Sequence, residues 1–248
     1  MRLLISESTD VYRNLAAEEY LLKYSSEDIF MLWQSDNAVV VGKNQNVAAE
    51  VDIDYATRND IRIARRYSGG GAVYQDMGNL NLTFIESTDK IDFNLYIDRV
   101  ITFLASIGIK AEADERLGIT VNGLKVSGSA QCIHKNRVMY HCTLLYSTDL
   151  EVLDISLNGD SNSSLLAGTT QVRAVKSVRS QVTNLNNYVQ KSVSIEEFKQ
   201  LIRHYFSGVK ESAFTPEELL AIEHLRNEKY IQDSWIYFRS LTHSTASL

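Results

Sequence analysis

Apolar side chains recur at helical spacing in several stretches of the chain. Between residues 14 and 24 the apolar side chains fall on one face and the charged ones on the other, which predicts an amphipathic helix. Similar reasoning predicts helices over 96–107 and 149–155. Two further helices are indicated by their starts. Ser194 stands three residues before a glutamate, which is a capping box, and Pro216 occupies a first helical position.

Shorter stretches alternate between apolar and polar residues or are rich in β-prone residues, as strands are. The predicted strands are 29–33, 38–41, 61–66, 79–85, 119–126, 129–133 and 137–146. Because helices and strands interleave, we predict an α+β (mixed α/β) fold with a mixed β-sheet and flanking helices. We assign residues 1–210 to one domain and 211–248 to a helical tail, and we predict a polar loop at 158–164.

Composition excludes several classes of protein. The 248 residues are 44% hydrophobic and 23% charged, with a formal net charge of −6, so broad nucleic-acid binding is not expected. The N-terminus does not resemble a secretory signal, and no stretch is long and apolar enough for a membrane span, so we expect a cytoplasmic protein. Cys132 and Cys142 match no zinc-binding pattern, and we predict no metal ligands among the side chains.

A glycine-rich stretch interrupts the strand pattern. Residues 65–74 read Arg-Arg-Tyr-Ser-Gly-Gly-Gly-Ala-Val-Tyr. Consecutive glycines weaken a strand but let another molecule approach the backbone closely. With two arginines at its edge, the stretch suits an anionic, elongated small molecule that lies across a sheet. Alone, it would more simply be a glycine-rich hairpin with solvated arginines.

A second segment favours ligand binding over the plain hairpin. Residues 122–131 read Asn-Gly-Leu-Lys-Val-Ser-Gly-Ser-Ala-Gln. A hairpin lysine is most often a surface residue, but small residues follow Lys125 closely. Such a lysine is a mobile point charge.

Together the two segments resemble the signatures of the lipoate–protein ligase A family. Further similar blocks follow in the same order as in the family, at 14–19, 33, 39–46, 141–145 and 177–185. The resemblance covers roughly residues 10 to 210. It implies a catalytic domain like those of biotin protein ligases and class II aminoacyl-tRNA synthetases.

The resemblance also implies a reaction. Lipoate, with ATP and Mg²⁺, would form lipoyl adenylate, and the lipoyl group would pass to a lysine of a lipoyl domain. The acceptors would be 2-oxoacid dehydrogenases or the H protein of the glycine cleavage system. Cations are needed because a carboxylate is repelled by the phosphates of ATP. Lys125 would be catalytic. Contacts to substrate or nucleotide are implied for Trp33, Arg66, Ser68, Gly69, Gly70, Gly71, Ala72, Asn79, Ser129, Ala130 and His141.

The chain departs from the family pattern at three points. Leu117 and Gly118 stand where the family has Asn-Asp, a pair expected to help hold the adenylate and Mg²⁺. Gln75 replaces a common histidine, and Cys142 replaces a glycine. Family members also carry an accessory C-terminal domain. We expect it to be absent here and a separate accessory subunit to supply it, unless the protein performs only part of the reaction.

Two alternatives remain open at this point. An octanoyl or lipoyl transferase without ATP activation would need a cysteine nucleophile that forms a thioester. Cys142 adjoins His141, but neighbouring strand residues point to opposite faces. The other alternative is a non-catalytic homologue that binds lipoate.

Overall fold

The structure is a computed structural model that describes residues 1–90, 92–159, 175–189, 192–206, 208 and 210–238. The predicted loop at 158–164 therefore lies outside the described residues after residue 159, as does the end of the predicted tail after residue 238.

An eight-stranded mixed sheet forms the centre of the described structure, as predicted. Its spatial order is β11 (Lys210–Ser212), β1 (Arg2–Ile5), β2 (Ile29–Trp33), β6 (Asn79–Ser87), β10 (Arg137–Leu145), β9 (Leu124–His134), β8 (Ile119–Val121) and β7 (Glu112–Ala113). Strand β1 is parallel to β11 and β2. The other neighbouring pairs are antiparallel.

A smaller sheet carries the glycine-rich stretch. Strand β3 (Ala38–Val41) lies between β4 (Arg62–Arg65), to which it is parallel, and β5 (Val73–Gln75), to which it is antiparallel. The stretch from 66 to 72 therefore connects the two outer strands of this sheet.

Helices flank the sheets, and most of them begin at a capping residue. They are α1 (Val11–Tyr24), α2 (Val47–Glu50), α3 (Ile53–Arg58), α4 (Phe93–Ser106), α5 (Leu150–Ser156), α6 (Ile195–Tyr205), α7 (Pro216–Leu225) and α8 (Asp233–Ile236). The capping boxes at Ser194 and Thr215 are present. Helix α1 begins earlier than predicted, because Asp10 accepts from the amides of Tyr12 and Arg13.

The predicted break near Ser127 is wrong. We predicted strands over 119–126 and 129–133 with a break near Ser127, but β9 runs unbroken through that point. The chain turns instead at Asn122 and Gly123, whose φ angles are 52° and 78°. Asn-Gly suits this two-residue turn because both residues tolerate positive φ.

The described part of the predicted tail packs onto α1. Arg226 pairs with Asp10 at the start of the helix. Lys229 and Tyr230 donate to one carboxylate oxygen of Glu19, which is buried. Residues 211–238 therefore share apolar core with the preceding part of the chain. Within the described residues, no helix has both the length and the apolar character that a bilayer crossing requires.

Candidate functional site

Two adjoining pockets that share part of their lining, called the two lobes of the cavity from here on, lie between the small sheet and strands β9 and β10. The first lobe has a volume of about 300 Å³ and an apolar wall that includes Leu15, Trp33 and Val40. The second lobe has a volume of about 420 Å³ and is lined partly by Tyr74 and Leu153. The residues that line both lobes, called the neck from here on, are Ala72, Val73, Lys125, Gly128, Thr143, Lys176, Ser177 and Val178.

The three consecutive glycines have different roles. Gly70 lines the first lobe with a φ of 88°, and a Cβ there would lie 2.8 Å from the guanidinium of Arg66. A Cβ on Gly71 would lie 3.0 Å from the hydroxyl of Ser177. A Cβ on Gly69 would meet no atom of the described residues within 4 Å, and Gly69 is not among the described residues that line either lobe. A residue without a side chain is therefore required at Gly70 and Gly71 but not at Gly69.

Arg66 organises the glycine stretch. Its guanidinium donates to the carbonyls of Gly69, Gly71 and Val40, and to the hydroxyl of Ser68. Burial lowers the pKa of Arg66 to about 10, so it remains charged at neutral pH. Arg66 also lines the first lobe. A direct contact with substrate stays a prediction, because the observed bonds are to the backbone of the loop.

A hydrogen-bonded chain continues from Arg66 to the first helix. The hydroxyl of Ser68 lies 2.7 Å from Nε2 of His141, and Nδ1 of His141 lies 2.9 Å from Glu18. With Glu18 ionised, the proton lies on Nδ1, and Nε2 accepts from Ser68. The chain locks the histidine ring at the wall of the first lobe. Ser68 is fully buried behind the ring and is not among the described lining of either lobe.

Lys125 stands at the neck. Its backbone is bonded to residues 181–183, whose chain runs parallel to it. Its Cε lies 3.8 Å from the position of a Cβ on Gly128, so the side chain passes over a second bare stretch of backbone. In the described parts of the chain, no hydrogen bond or ion pair engages its ammonium group. The charge is available to a ligand in either lobe.

The first lobe is rich in cations although the protein is acidic. Arg66, Arg116, Lys125 and Lys176 line it, and its lining includes no carboxylate among the described residues. In a low-dielectric cleft such a group of cations attracts an anion strongly. The apolar wall beside them suits a ligand with an aliphatic part.

Four further residues with predicted ligand contacts line the first lobe, namely Trp33, Ala72, Ser129 and Ala130. Asn79 is not part of its described lining, and the predicted role of this residue in holding phosphate stays a prediction. It is buried at the start of β6, where its side-chain oxygen accepts from the amide of Asp76. Asparagine in or beside a turn favours such local bonding to backbone.

The local structure around Leu117 and Gly118 shows what the family's Asn-Asp pair would meet at these two positions. Leu117 adopts a φ of 61°, a conformation that asparagine tolerates better than leucine. A Cβ on Gly118 would lie 2.5 Å from Oδ2 of Asp114 and 3.1 Å from Cε of Lys125. An aspartate at position 118 would therefore require Asp114 and Lys125 to move. The carboxylate of Asp114 instead caps the local turn through the amides of Arg116 and Gly118.

Neither cysteine is arranged as a nucleophile. Burial raises the pKa of the Cys142 thiol to about 12, and burial next to Glu18 raises the pKa of the Cys132 thiol to about 12. A catalytic thiol needs the opposite shift, because the thiolate is the reacting form. The thioester alternative therefore gains no support from the thiols.

We expect both thiols to resist alkylation in the folded protein. At pH 8 a thiol with a pKa near 12 is about one part in ten thousand thiolate, which slows reaction with iodoacetamide. Intact mass after timed treatment would show slow addition in buffer and rapid addition in guanidinium. Fast modification of Cys142 in the folded protein would contradict this expectation and favour the thioester alternative.

Sequence reasoning missed part of the neck. Residues 175–178 cross the cavity beside the glycine stretch, with Ser177 accepting from the amide of Ala72 at 2.8 Å. Gln45 donates to the same hydroxyl at 3.0 Å. The signal was the family-like block beginning at Ser177, but Lys176 just before it was not singled out.

Fold and site together define an α+β domain with a cation-rich cavity suited to a partly aliphatic anion. The family described as lipoyl protein ligase A/B catalytic domain matches residues 10–207. Lipoate–protein ligase 1 of Staphylococcus aureus is 36% identical over 240 residues, which cover 94% of this chain and 71% of that protein.

Two solved structures are similar over nearly their whole length. One is of a bipartite lipoate protein ligase and its E2 lipoyl domain from Thermoplasma acidophilum, at 29% identity, a TM-score of 0.80 and 95% coverage of both chains. The other is a lipoate–protein ligase A bound with ATP, at 27% identity and a TM-score of 0.80, covering 95% of this chain and 98% of that one. The chain belongs to the lipoyl protein ligase A/B catalytic-domain family, and it is an enzyme.

Proposed function

We propose that the protein activates lipoate with ATP and transfers the lipoyl group to a lysine of a lipoyl domain. The observation that carries this proposal is the position of Lys125 at the neck, between a lobe with an aliphatic wall and a second lobe. The two ligands that must react would meet beside its charge. Similarity to ligases named for lipoate and to one bound with ATP supports the choice of ligands.

Each lobe suits one part of the lipoyl adenylate. The first lobe would take the acyl chain against Trp33 and Val40, with its carboxylate at the neck. The second lobe would take the nucleoside against Tyr74 and Leu153. The backbone of Gly70 and Gly71 would lie under the acyl phosphate, where a side chain would collide with it.

Lys125 would act by neutralising charge. The lipoate carboxylate attacks the α-phosphorus, and negative charge grows on the phosphate oxygens as pyrophosphate leaves. An ammonium group held at this position stabilises that charge more in the transition state than in the ground state. The same cation would polarise the acyl carbonyl when the acceptor lysine attacks it.

The described side chains offer Mg²⁺ no preformed set of protein ligands. They hold no group of three or more histidine, cysteine or acidic residues that could bind a metal ion. The carboxylates near the neck, Glu50 and Asp154, line the second lobe alone. Because Mg²⁺ at a nucleotide is held mainly by water and phosphate oxygens with one or two carboxylates, we assign it no step in the protein.

We expect acceptors of the lipoyl-domain type, from 2-oxoacid dehydrogenases or the glycine cleavage H protein. The similar structure of an archaeal ligase with its E2 lipoyl domain supports this expectation. Whether an accessory subunit takes part stays a prediction, as does a cytoplasmic location.

The test is incubation with lipoate, ATP, Mg²⁺ and an apo lipoyl domain, read by intact mass of the acceptor. A mass increase of one lipoyl group supports the proposal. Transfer only from synthetic lipoyl adenylate would restrict the protein to the second step. Lipoate binding with no transfer in either assay would overturn the proposal in favour of a non-catalytic homologue.

A further inference from the structure

The neck holds a second lysine besides Lys125. Lys176 lines both lobes, as Lys125 does, but reaches the cavity from residues 175–178 rather than from β9. Two cations from separate segments therefore border the same region of the cavity. Within the described residues, no hydrogen bond or ion pair engages the ammonium group of Lys176, and the residue is exposed.

The segment that carries Lys176 is fixed on both sides of it. The amide of Ser177 donates to both carboxylate oxygens of Glu50, at 3.1 and 3.2 Å. The amide of Val175 donates to the carbonyl of Asn44, and Gln45 donates to the carbonyl of Val175. Lys176 lies between these anchors, so its backbone is held while its side chain can reach a ligand.

The carboxylates nearest the neck, Glu50 and Asp154, line the second lobe and not the first. Glu50 is buried, and its two oxygens are both engaged by the Ser177 amide. The first lobe has no carboxylate among its described lining residues. Lys176 is therefore positioned to bind an anion at the neck by charge-assisted hydrogen bonds.

We propose that Lys176 binds the β- and γ-phosphates of ATP and stabilises the departing pyrophosphate; this inference rests on the proposed function. In the first step, the lipoate carboxylate oxygen forms a bond to the α-phosphorus. The bond from the α-phosphorus to the bridging oxygen breaks, and pyrophosphate leaves with that electron pair. Lys125 stays with the α-phosphate and the acyl carbonyl. Lys176 acts on the part of ATP that leaves.

The proposed roles of the two lysines differ between adenylate formation and lipoyl transfer. Lipoyl adenylate has no β- or γ-phosphate, so transfer from it to an acceptor lysine does not use the proposed contact. Lys176→Met should therefore lower adenylate formation by about 10²-fold and raise the KM for ATP, since one preorganised cation is lost. The rate of transfer from synthetic lipoyl adenylate should stay within about twofold of the wild-type rate, because the contact that Lys176→Met removes is not used in that step.

The assay measures lipoate-dependent exchange of labelled pyrophosphate into ATP and, separately, transfer from synthetic lipoyl adenylate to a lipoyl domain. Lys110→Met, at an exposed lysine outside the described lining of both lobes, is the matched control and should behave as the wild type. Lys176→Arg should recover part of the exchange rate. A thermal melt of each variant checks folding. Because Lys176 is exposed, we expect little change in the melting temperature.

The outcomes are distinct. Equal loss in both assays would overturn the assignment to pyrophosphate, because the lysine would then act on the adenylate itself. Exchange at the wild-type rate in Lys176→Met would also overturn it. If the wild type itself lacks exchange, the proposed function fails at its first step, which is a separate result from either of these.

Discussion

Replacement of Lys125 by methionine is expected to lower both adenylate formation and lipoyl transfer by about 10³-fold, which corresponds to roughly 4 kcal/mol of transition-state stabilisation. The methionine keeps most of the length and the apolar stem of the side chain but removes the charge. Because Lys125 borders both lobes, the loss affects the attack on phosphorus and the attack on the acyl carbonyl. The two rates are measured by pyrophosphate exchange and by intact mass of the acceptor.

Two controls make the Lys125 result specific. Lys110→Met tests whether loss of any lysine charge lowers the rates, and it should not. Lipoate binding by calorimetry should weaken far less than the rates fall, since the charge matters most in the transition state. Full activity of Lys125→Met in both assays would remove the mechanism proposed for this site.

The second large effect is expected at Gly42, which follows β3. A Cβ at this position would lie 2.1 Å from the carbonyl oxygen of Gly70, which is backbone and cannot move aside alone. Gly42→Ala should therefore displace the floor of the first lobe and weaken lipoate binding by about tenfold or more. Overpacking of this kind also lowers the free energy of unfolding by about 1–3 kcal/mol.

Gly69→Ala is the matched control, because no atom of the described residues lies within 4 Å of the added methyl group and Gly69 has no positive φ. Its free energy of unfolding should stay within about 0.5 kcal/mol of the wild type. Calorimetry with lipoate and urea unfolding measure both quantities for the two variants. Wild-type lipoate binding by Gly42→Ala would show that the floor tolerates displacement and that its position does not govern binding.

The sequence predicted the mixed sheet and the family; the structure confirmed the first, and comparison with known proteins confirmed the second. Strands such as β2 and β3 were predictable to the residue because each is a short apolar run bounded by polar turn residues. Lys125 was predictable as a candidate because small residues follow it. Its position among the residues that line both lobes could be seen only in the three-dimensional structure.

What the sequence did not reveal depends on contacts between distant segments. Lys176 precedes a recognisable block but carries no local signal, since its position follows from the bond between Ser177 and Glu50. Gly42 was predicted only to end a strand, because its contact with Gly70 joins two separate loops. Asn79 was assigned to a ligand by motif. Its side-chain oxygen accepts from the amide of Asp76, its Nδ2 has no hydrogen-bond partner among the described residues, and the ligand role stays a prediction.

The buried guanidinium of Arg65 links two distant parts of the chain. It donates to the carbonyls of Trp235 and Ile236 in α8, and also to the carbonyls of Gly42, Lys43 and Gln45. One side chain thus joins the far end of the described chain to the loop whose glycine touches Gly70. A protein that binds α8 and shifts it would transmit strain to the base of the first lobe without entering the cavity.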